Sequence, residues 1–217
     1  MRFLADALLF DSDETLVSSQ RSVLRIWREW AESYGMTLEE AMSRVEVHGR
    51  PAAAIIADLL PAEQVEEGLQ RLVDAEVADA AAGGVEAVPG AAELLASLPE
   101  DRWAVVTSSS RRVAEARLSP VGIHPRHLVT SGDVTHHKPH PQPFLVAAER
   151  LGFAPARCIV IEDSPTGLAS GRAAAMPTIA LTTTHQANQL EADAIVTDLT
   201  RVSVRVTQTG DLEITVS

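Results

Sequence analysis

Three short apolar runs in this chain stop abruptly at a hydroxyl or an acid: ALLF (7–10) before Asp11, WAVV (103–106) before Thr107, and CIVI (158–161) before Glu162. HLV (127–129) and TIAL (178–181) are two more runs of the same kind. Near-continuous apolar runs without polar alternation suit strands buried on both faces of a parallel sheet. Helical patterns lie between them: AAELLASL (91–98), RRVAEARL (111–118), PFLVAAERL (143–151) and a helix from about 165 to 175. Strand and helix alternating at this spacing predict an α/β fold with a doubly wound, mostly parallel sheet. In such a sheet ligands bind beyond the carboxyl ends of the strands. Each abrupt switch therefore sends its next residues into one shared crevice.

The alternation fails between residues 17 and 85, where one helical pattern follows another: SVLRIWREWAESYG, TLEEAMSRV, PAAAIIADLL and AEQVEEGLQRLVDAEVADAA. The first two carry an apolar stripe at helical spacing with charges opposite. Gly83-Gly84 and Pro89-Gly90 punctuate the end of this stretch. The expected organisation is a discontinuous core, 1–16 and 86–217, with a small α-helical cap, 17–85, inserted after the first strand. At the far end, VSVRVTQTGDLEITV alternates around Thr209-Gly210-Asp211 and predicts a hairpin.

A net charge of −12 argues against an electrostatic grip on nucleic acid or on an anionic membrane. No window is apolar enough for a membrane span, and MRFLADALLFDSD meets acids too early for a secretory signal. The single cysteine, Cys158, permits no internal disulfide and reads as core. The expected protein is a cytoplasmic monomer.

Asp11 and Asp13 follow the first run, Thr107, Ser108 and Ser109 the second, and Glu162 and Asp163 a later one. Lys138 lies in the loop after HLVTSGDV and is the one lysine beside 17 arginines. Acids gathered in one crevice repel each other unless something positive sits among them, and a hard divalent cation with oxygen ligands suits them. With the only thiol away from the crevice, the nucleophile is a carboxylate. Asp11 can attack phosphorus, while Asp13 can protonate the departing alkoxide and later activate water. Thr107, Ser108 and Ser109 can bind phosphoryl oxygens. Lys138 supplies a compact charge that can touch Asp11 and bind one phosphoryl oxygen together, with three freely aimed donors where arginine offers a planar fork.

FDSDETL, VVTSSS, HKPHP and IEDSPTG resemble, in order and spacing, the four motifs of the haloacid dehalogenase superfamily. The resemblance spans roughly residues 3–200 and implies a Rossmann-like core with a small helical cap. HGRPAAAI, WAVVTSSSRRVAEARL and ALTTTH resemble its sugar-phosphate phosphatase branch, which includes glycerol-phosphate and 2-deoxyglucose-6-phosphate phosphatases. It implies Asp11 as nucleophile and Asp13 as general acid and base. It also implies Mg²⁺ held by Asp11, the Asp13 carbonyl and Asp163, with Glu162 assisting. Two positions depart from the pattern: Glu14 stands where Gly is usual, and Ser18 where an acid is frequent.

His48 and Arg50, just before a helix, are candidate substrate-reading residues in a closed cap. Trp27 and Trp30 share a helical face and read as cap core. His136, His137 and His140 have ligand-like spacing, but Pro139 breaks the helix it would need. The cap carries 12 acids against 6 arginines, which disfavours a long polyanionic substrate. The expected activity is Mg²⁺-dependent hydrolysis of a small phosphorylated sugar or polyol through an aspartyl-phosphate. A phosphomutase of the β-phosphoglucomutase type is the alternative. A dehalogenase would leave Asp13 without a task, because halide departs unprotonated.

Overall fold

All five apolar runs form strands of one parallel sheet. The computed structural model describes residues 1–44 and 50–217. In chain order its strands are β1 (Arg2–Ala5), β2 (Ala7–Phe10), β3 (Val17–Ser18), β4 (Glu86–Ala87), β5 (Trp103–Val106), β6 (Leu128–Val129), β7 (Cys158–Glu162), β8 (Thr178–Leu181), β9 (Ala194–Val196), β10 (Val202–Val206) and β11 (Leu212–Val216). The helices are α1 (Gln20–Ser33), α2 (Leu38–Arg44), α3 (Ala52–Leu59), α4 (Ala62–Ala81), α5 (Ala91–Ala96), α6 (Arg111–Leu118), α7 (Gln142–Leu151) and α8 (Pro165–Ala173).

Six strands pair in the order β6-β5-β2-β7-β8-β9, every pair parallel. The side chains show why these runs are apolar without alternation. Leu8, Phe10, Trp103, Val105, Ile159 and Ile161 point into a core on one face. Their neighbours Ala7, Leu9, Ala104, Val106, Cys158 and Val160 point into a second core on the other. Both faces being covered, no position in these strands meets water. Cys158 is buried, and burial pushes its thiol up to about 11, so it is a core side chain and not a nucleophile.

The C-terminal hairpin forms as expected: β10 and β11 pair antiparallel, with Gly210 at φ 87° in the turn between them. Its placement is the new finding. β11 also pairs antiparallel with β1, giving a three-stranded sheet β1-β11-β10. Val202, Leu212, Ile214 and Val216 from this sheet join the first core. The hairpin therefore closes one face of the central sheet.

Helices α1 to α4 bury a cluster of their own, centred on Ile26, Trp27, Trp30, Ile55, Ile56 and Leu72. Trp27 and Trp30 meet edge to face at 5.5 Å, and the Trp30 indole donates to the Gly68 carbonyl, so both tryptophans are core. The chain enters and leaves this helical stretch through β3 and β4, which pair antiparallel at Val17–Ala87 and Ser18–Glu86.

Glu14, in the position where the resemblance expects glycine, has φ 62°. That left-handed conformation is costly for a residue with a Cβ. Here the Glu14 carboxylate accepts the backbone N–H groups of Ser19 and Gln20 at 2.6 and 2.7 Å. These are orphan donors at the start of α1, and an anion at a helix N-terminus is favourable. The turn survives because the side chain caps the helix that the turn introduces.

Candidate active site

The chain runs from β2 to β5 and β6 on one side of the sheet, then returns to β7, β8 and β9 on the other. β2 therefore sits at the topological switch point, and its carboxyl end opens into the crevice such a reversal creates. Asp11 follows β2 directly, Thr107 follows β5 and Asp163 follows β7, so three neighbouring strands deliver three polar groups to one place.

Lys138 lies at the centre. It is 6% exposed, and its ammonium donates to Asp11 Oδ1 at 2.6 Å, Glu162 Oε1 at 2.9 Å and the Val106 carbonyl at 2.9 Å. Burial works against its charge, yet Asp11 and Glu162 outweigh burial and hold the ammonium protonated beyond the ordinary lysine range. The sequence led us to expect the contact with Asp11. It gave no sign of the grip on Glu162 or on the β5 carbonyl.

Asp11, Glu162 and Asp163 are all buried, and each offers an oxygen within 4.8 Å of the others. Burial is the largest influence on Asp11 and pushes its carboxyl up to about 7, with Glu162 and Asp13 adding to the rise and Lys138 opposing it. Asp163 is also held well above the usual carboxylate range, by burial first and then by Glu162 and Asp11. One ammonium among three carboxylates leaves the cluster short of positive charge. The donors are hard oxygens, which suits a magnesium-class ion.

The three acids differ in what already holds them. Glu162 is filled: besides Lys138, it accepts the backbone N–H groups of Asp163 (2.9 Å) and Ser164 (2.7 Å) and the Ser164 hydroxyl (2.8 Å). It fits as an orienting partner for Lys138 and for the turn into α8. Pro165 opens that helix and the Ser164 side chain caps it on the Gly167 N–H. A Cβ on Gly167 would lie 1.6 Å from Glu162 Oε1, so the glycine of IEDSPTG makes room for this carboxylate. Asp163 is steered by hydroxyls, from Thr184 at 2.5 Å and Thr15 at 3.4 Å.

Thr107 is buried, and its hydroxyl oxygen accepts the Ser109 N–H at 3.1 Å, which leaves its proton to donate. The Ser109 hydroxyl is given to Asp13 at 3.3 Å in this structure. Ser108 lies between them in the loop after β5. Asp13 accepts the Ser19 hydroxyl at 2.8 Å and an Arg117 nitrogen at 2.7 Å. Arg117 was not singled out from the sequence, where RRVAEARL reads as an ordinary helix face. Arg117 is the next-to-last residue of α6 and is buried, which no local pattern in the sequence signals.

His48 lies outside the described residues. Arg50 donates to Asp58 at 2.8 Å and to the Ala54 carbonyl at 3.3 Å. Among the described residues, His136, His137 and His140 form no ligand cluster; His136 and His140 stack with centroids 4.5 Å apart. The Lys138–Pro139 peptide bond is cis.

Residues 8–181 match the family model of haloacid dehalogenase-like hydrolases. Hexitol phosphatase A of Escherichia coli (strain K12) is 35% identical over 211 residues, covering 94% of this chain and 96% of that protein. Glycerol-1-phosphate phosphohydrolase 2 of Saccharomyces cerevisiae is 32% identical over 197 residues, covering 86% of this chain and 78% of that protein. Among solved structures, CbbY from Rhodobacter sphaeroides in complex with phosphate superposes with a TM-score of 0.77 at 24% identity, covering 90% of this chain and 95% of that one. That last likeness speaks to the fold alone.

Proposed function

Because this chain belongs to the haloacid dehalogenase-like hydrolases, we propose that it hydrolyses the phosphate monoester of a small sugar or polyol with the help of Mg²⁺, through an aspartyl-phosphate on Asp11. The observation that carries this reading is the buried Asp11–Lys138 pair at the switch point, flanked by two further acids. Relatives named as phosphatases of a hexitol phosphate and of glycerol 1-phosphate support the substrate class.

An Asp11 oxygen attacks phosphorus as the P–O bond to the sugar breaks, and the Asp13 carboxyl proton goes to the departing alkoxide. A water then attacks phosphorus, gives its proton to Asp13, and releases Asp11. Lys138 holds Asp11 in place and lowers the repulsion between two anions as they approach. Thr107, with Ser108 beside it, donates to the equatorial phosphoryl oxygens. Asp11, the Asp13 carbonyl and Asp163 are the residues that would hold Mg²⁺, with Glu162 orienting from behind. When bound, the ion supplies the positive charge this cluster lacks and neutralises developing phosphoryl charge. Helices α1 to α4 act as a cap over the crevice, limiting entry to small molecules and excluding water during the transfer.

The experiment is phosphate release from p-nitrophenyl phosphate and from a panel of phosphorylated hexitols, hexoses and glycerol. Release is expected with Mg²⁺, together with loss of release in EDTA and recovery when Mg²⁺ is restored. A parallel reaction supplies β-glucose 1-phosphate with a trace of its 1,6-bisphosphate. Formation of glucose 6-phosphate faster than free phosphate would replace hydrolysis with the mutase reading.

A further inference from the structure

A carboxyl that delivers a proton must be aimed at one oxygen, and Asp13 lies at the end of a chain of charges that crosses from one part of the fold to the other. Arg117, on α6, is 5% exposed. One of its terminal nitrogens donates to Asp13 Oδ1 at 2.7 Å and the other to Glu76 Oε1 at 3.0 Å. Glu76 lies on α4, in the helical stretch proposed above as the cap, and is itself buried. Burial raises its pKa, and Arg117 works against that rise. The other donors on Asp13 are the hydroxyl of Ser19, just before α1, and that of Ser109, in the loop after β5. Two of the groups that set this carboxylate therefore sit on or at the end of helices outside the core sheet, Ser19 directly and Glu76 through the guanidinium.

We propose that Arg117 is a positioning residue for Asp13, and that the Glu76–Arg117 pair makes the aim of Asp13 depend on where α4 is seated. The inference rests on the phosphatase reading, in which Asp13 is the general acid and base. Holding α4 on α6 does not by itself require these charges. Arg112 and Asp74 already pair across the same seam at 2.6 Å on its exposed side, and apolar residues of matched volume hold buried seams as well as ion pairs do. A guanidinium is the group whose fixed fork can bind two carboxylates at once. Lysine would have to serve both through one nitrogen, as Lys138 does for Asp11 and Glu162, whereas Asp13 and Glu76 are each held by a different nitrogen of Arg117.

The test compares a p-nitrophenyl ester, whose leaving group departs without a proton, with glycerol phosphate, whose alkoxide needs one. Asp13→Asn is the reference: it is expected to lose about 100-fold or more on glycerol phosphate and less than about tenfold on the p-nitrophenyl ester, the range of a positioned general acid. Arg117→Lys is expected to follow the same split at a smaller size, about tenfold against about twofold. The double variant Glu76→Met with Arg117→Met removes both buried charges together and leaves Asp13 its Ser19 and Ser109 hydroxyls, so it is expected to fold. Thermal unfolding near wild type with a selective loss on glycerol phosphate is the expected result. Equal losses on both substrates for Arg117→Lys, or a folded double variant with full glycerol-phosphatase activity, would overturn the proposal while the Asp13 assignment stands. If the double variant does not fold, Arg117→Lys decides. If Asp13→Asn itself shows no split, the acid role of Asp13 fails and this inference fails with it.

Discussion

Replacing Asp11 by Asn is expected to lower kcat by at least about a thousandfold, because an amide cannot act as the nucleophile in covalent catalysis. The fold should survive. Asp11 is buried at the end of β2, but the amide keeps the carboxylate's shape and its oxygen still accepts from Lys138. The substitution also removes one negative charge from a cluster where Asp11, Glu162 and Asp163 crowd together. Stability in the absence of metal is therefore expected to hold or rise slightly while turnover is lost. Thermal unfolding and phosphate release on one preparation check both halves. Activity above a few per cent in material free of deamidation would remove Asp11 from its role.

Lys138→Arg is expected to be nearly as damaging as Lys138→Ala. The ammonium makes three bonds within 3 Å, to Asp11, Glu162 and the Val106 carbonyl, in a space closed to water. Three acceptors around one nitrogen match a tetrahedral ammonium and do not match a planar fork. The larger head must push aside Asp11 or Glu162, and Glu162 cannot retreat, because the backbone amides of Asp163 and Ser164 hold its other oxygen. For Lys138→Ala the damage reaches stability: taking one partner from a buried ion pair costs about 3–5 kcal/mol. Kinetics and thermal unfolding of both variants separate the two effects. An Arg variant with most of the wild-type kcat would mean that the single lysine of this chain carries no geometric requirement.

The α/β sheet was legible because burial on both faces leaves one reading for runs such as CIVI and WAVV. Helices α6 and α4 were legible to within a residue, since apolar periodicity and breaking residues bracket them. β9 was not: Ala194–Val196 is three residues long, with Ile195 partly exposed, too short to show a period. β1 was missed for a different reason. RFLA gains its strand by pairing with β11, more than 200 residues away along the chain, and no local pattern encodes such a partner. The site divides in the same way. Asp11, Thr107, Glu162 and Asp163 announce themselves by ending apolar strands. Arg117, Glu76, Thr15 and Thr184 act through contacts with other segments, so their importance shows only once the chain is folded. Glu14 lies between these cases, since its departure was visible and its compensation as a helix cap was not.

The central claim is that phosphoryl passes from substrate to Asp11 before it reaches water. Rapid acid quenching of the enzyme during turnover of a radiolabelled phosphorylated polyol, followed by peptide mapping, tests it most directly. Label is expected on the peptide containing Asp11, lost on treatment with hydroxylamine and absent from Asp11→Asn. Full turnover of the polyol phosphate with no label on that peptide at any quench time, or label on a different residue, would contradict the account.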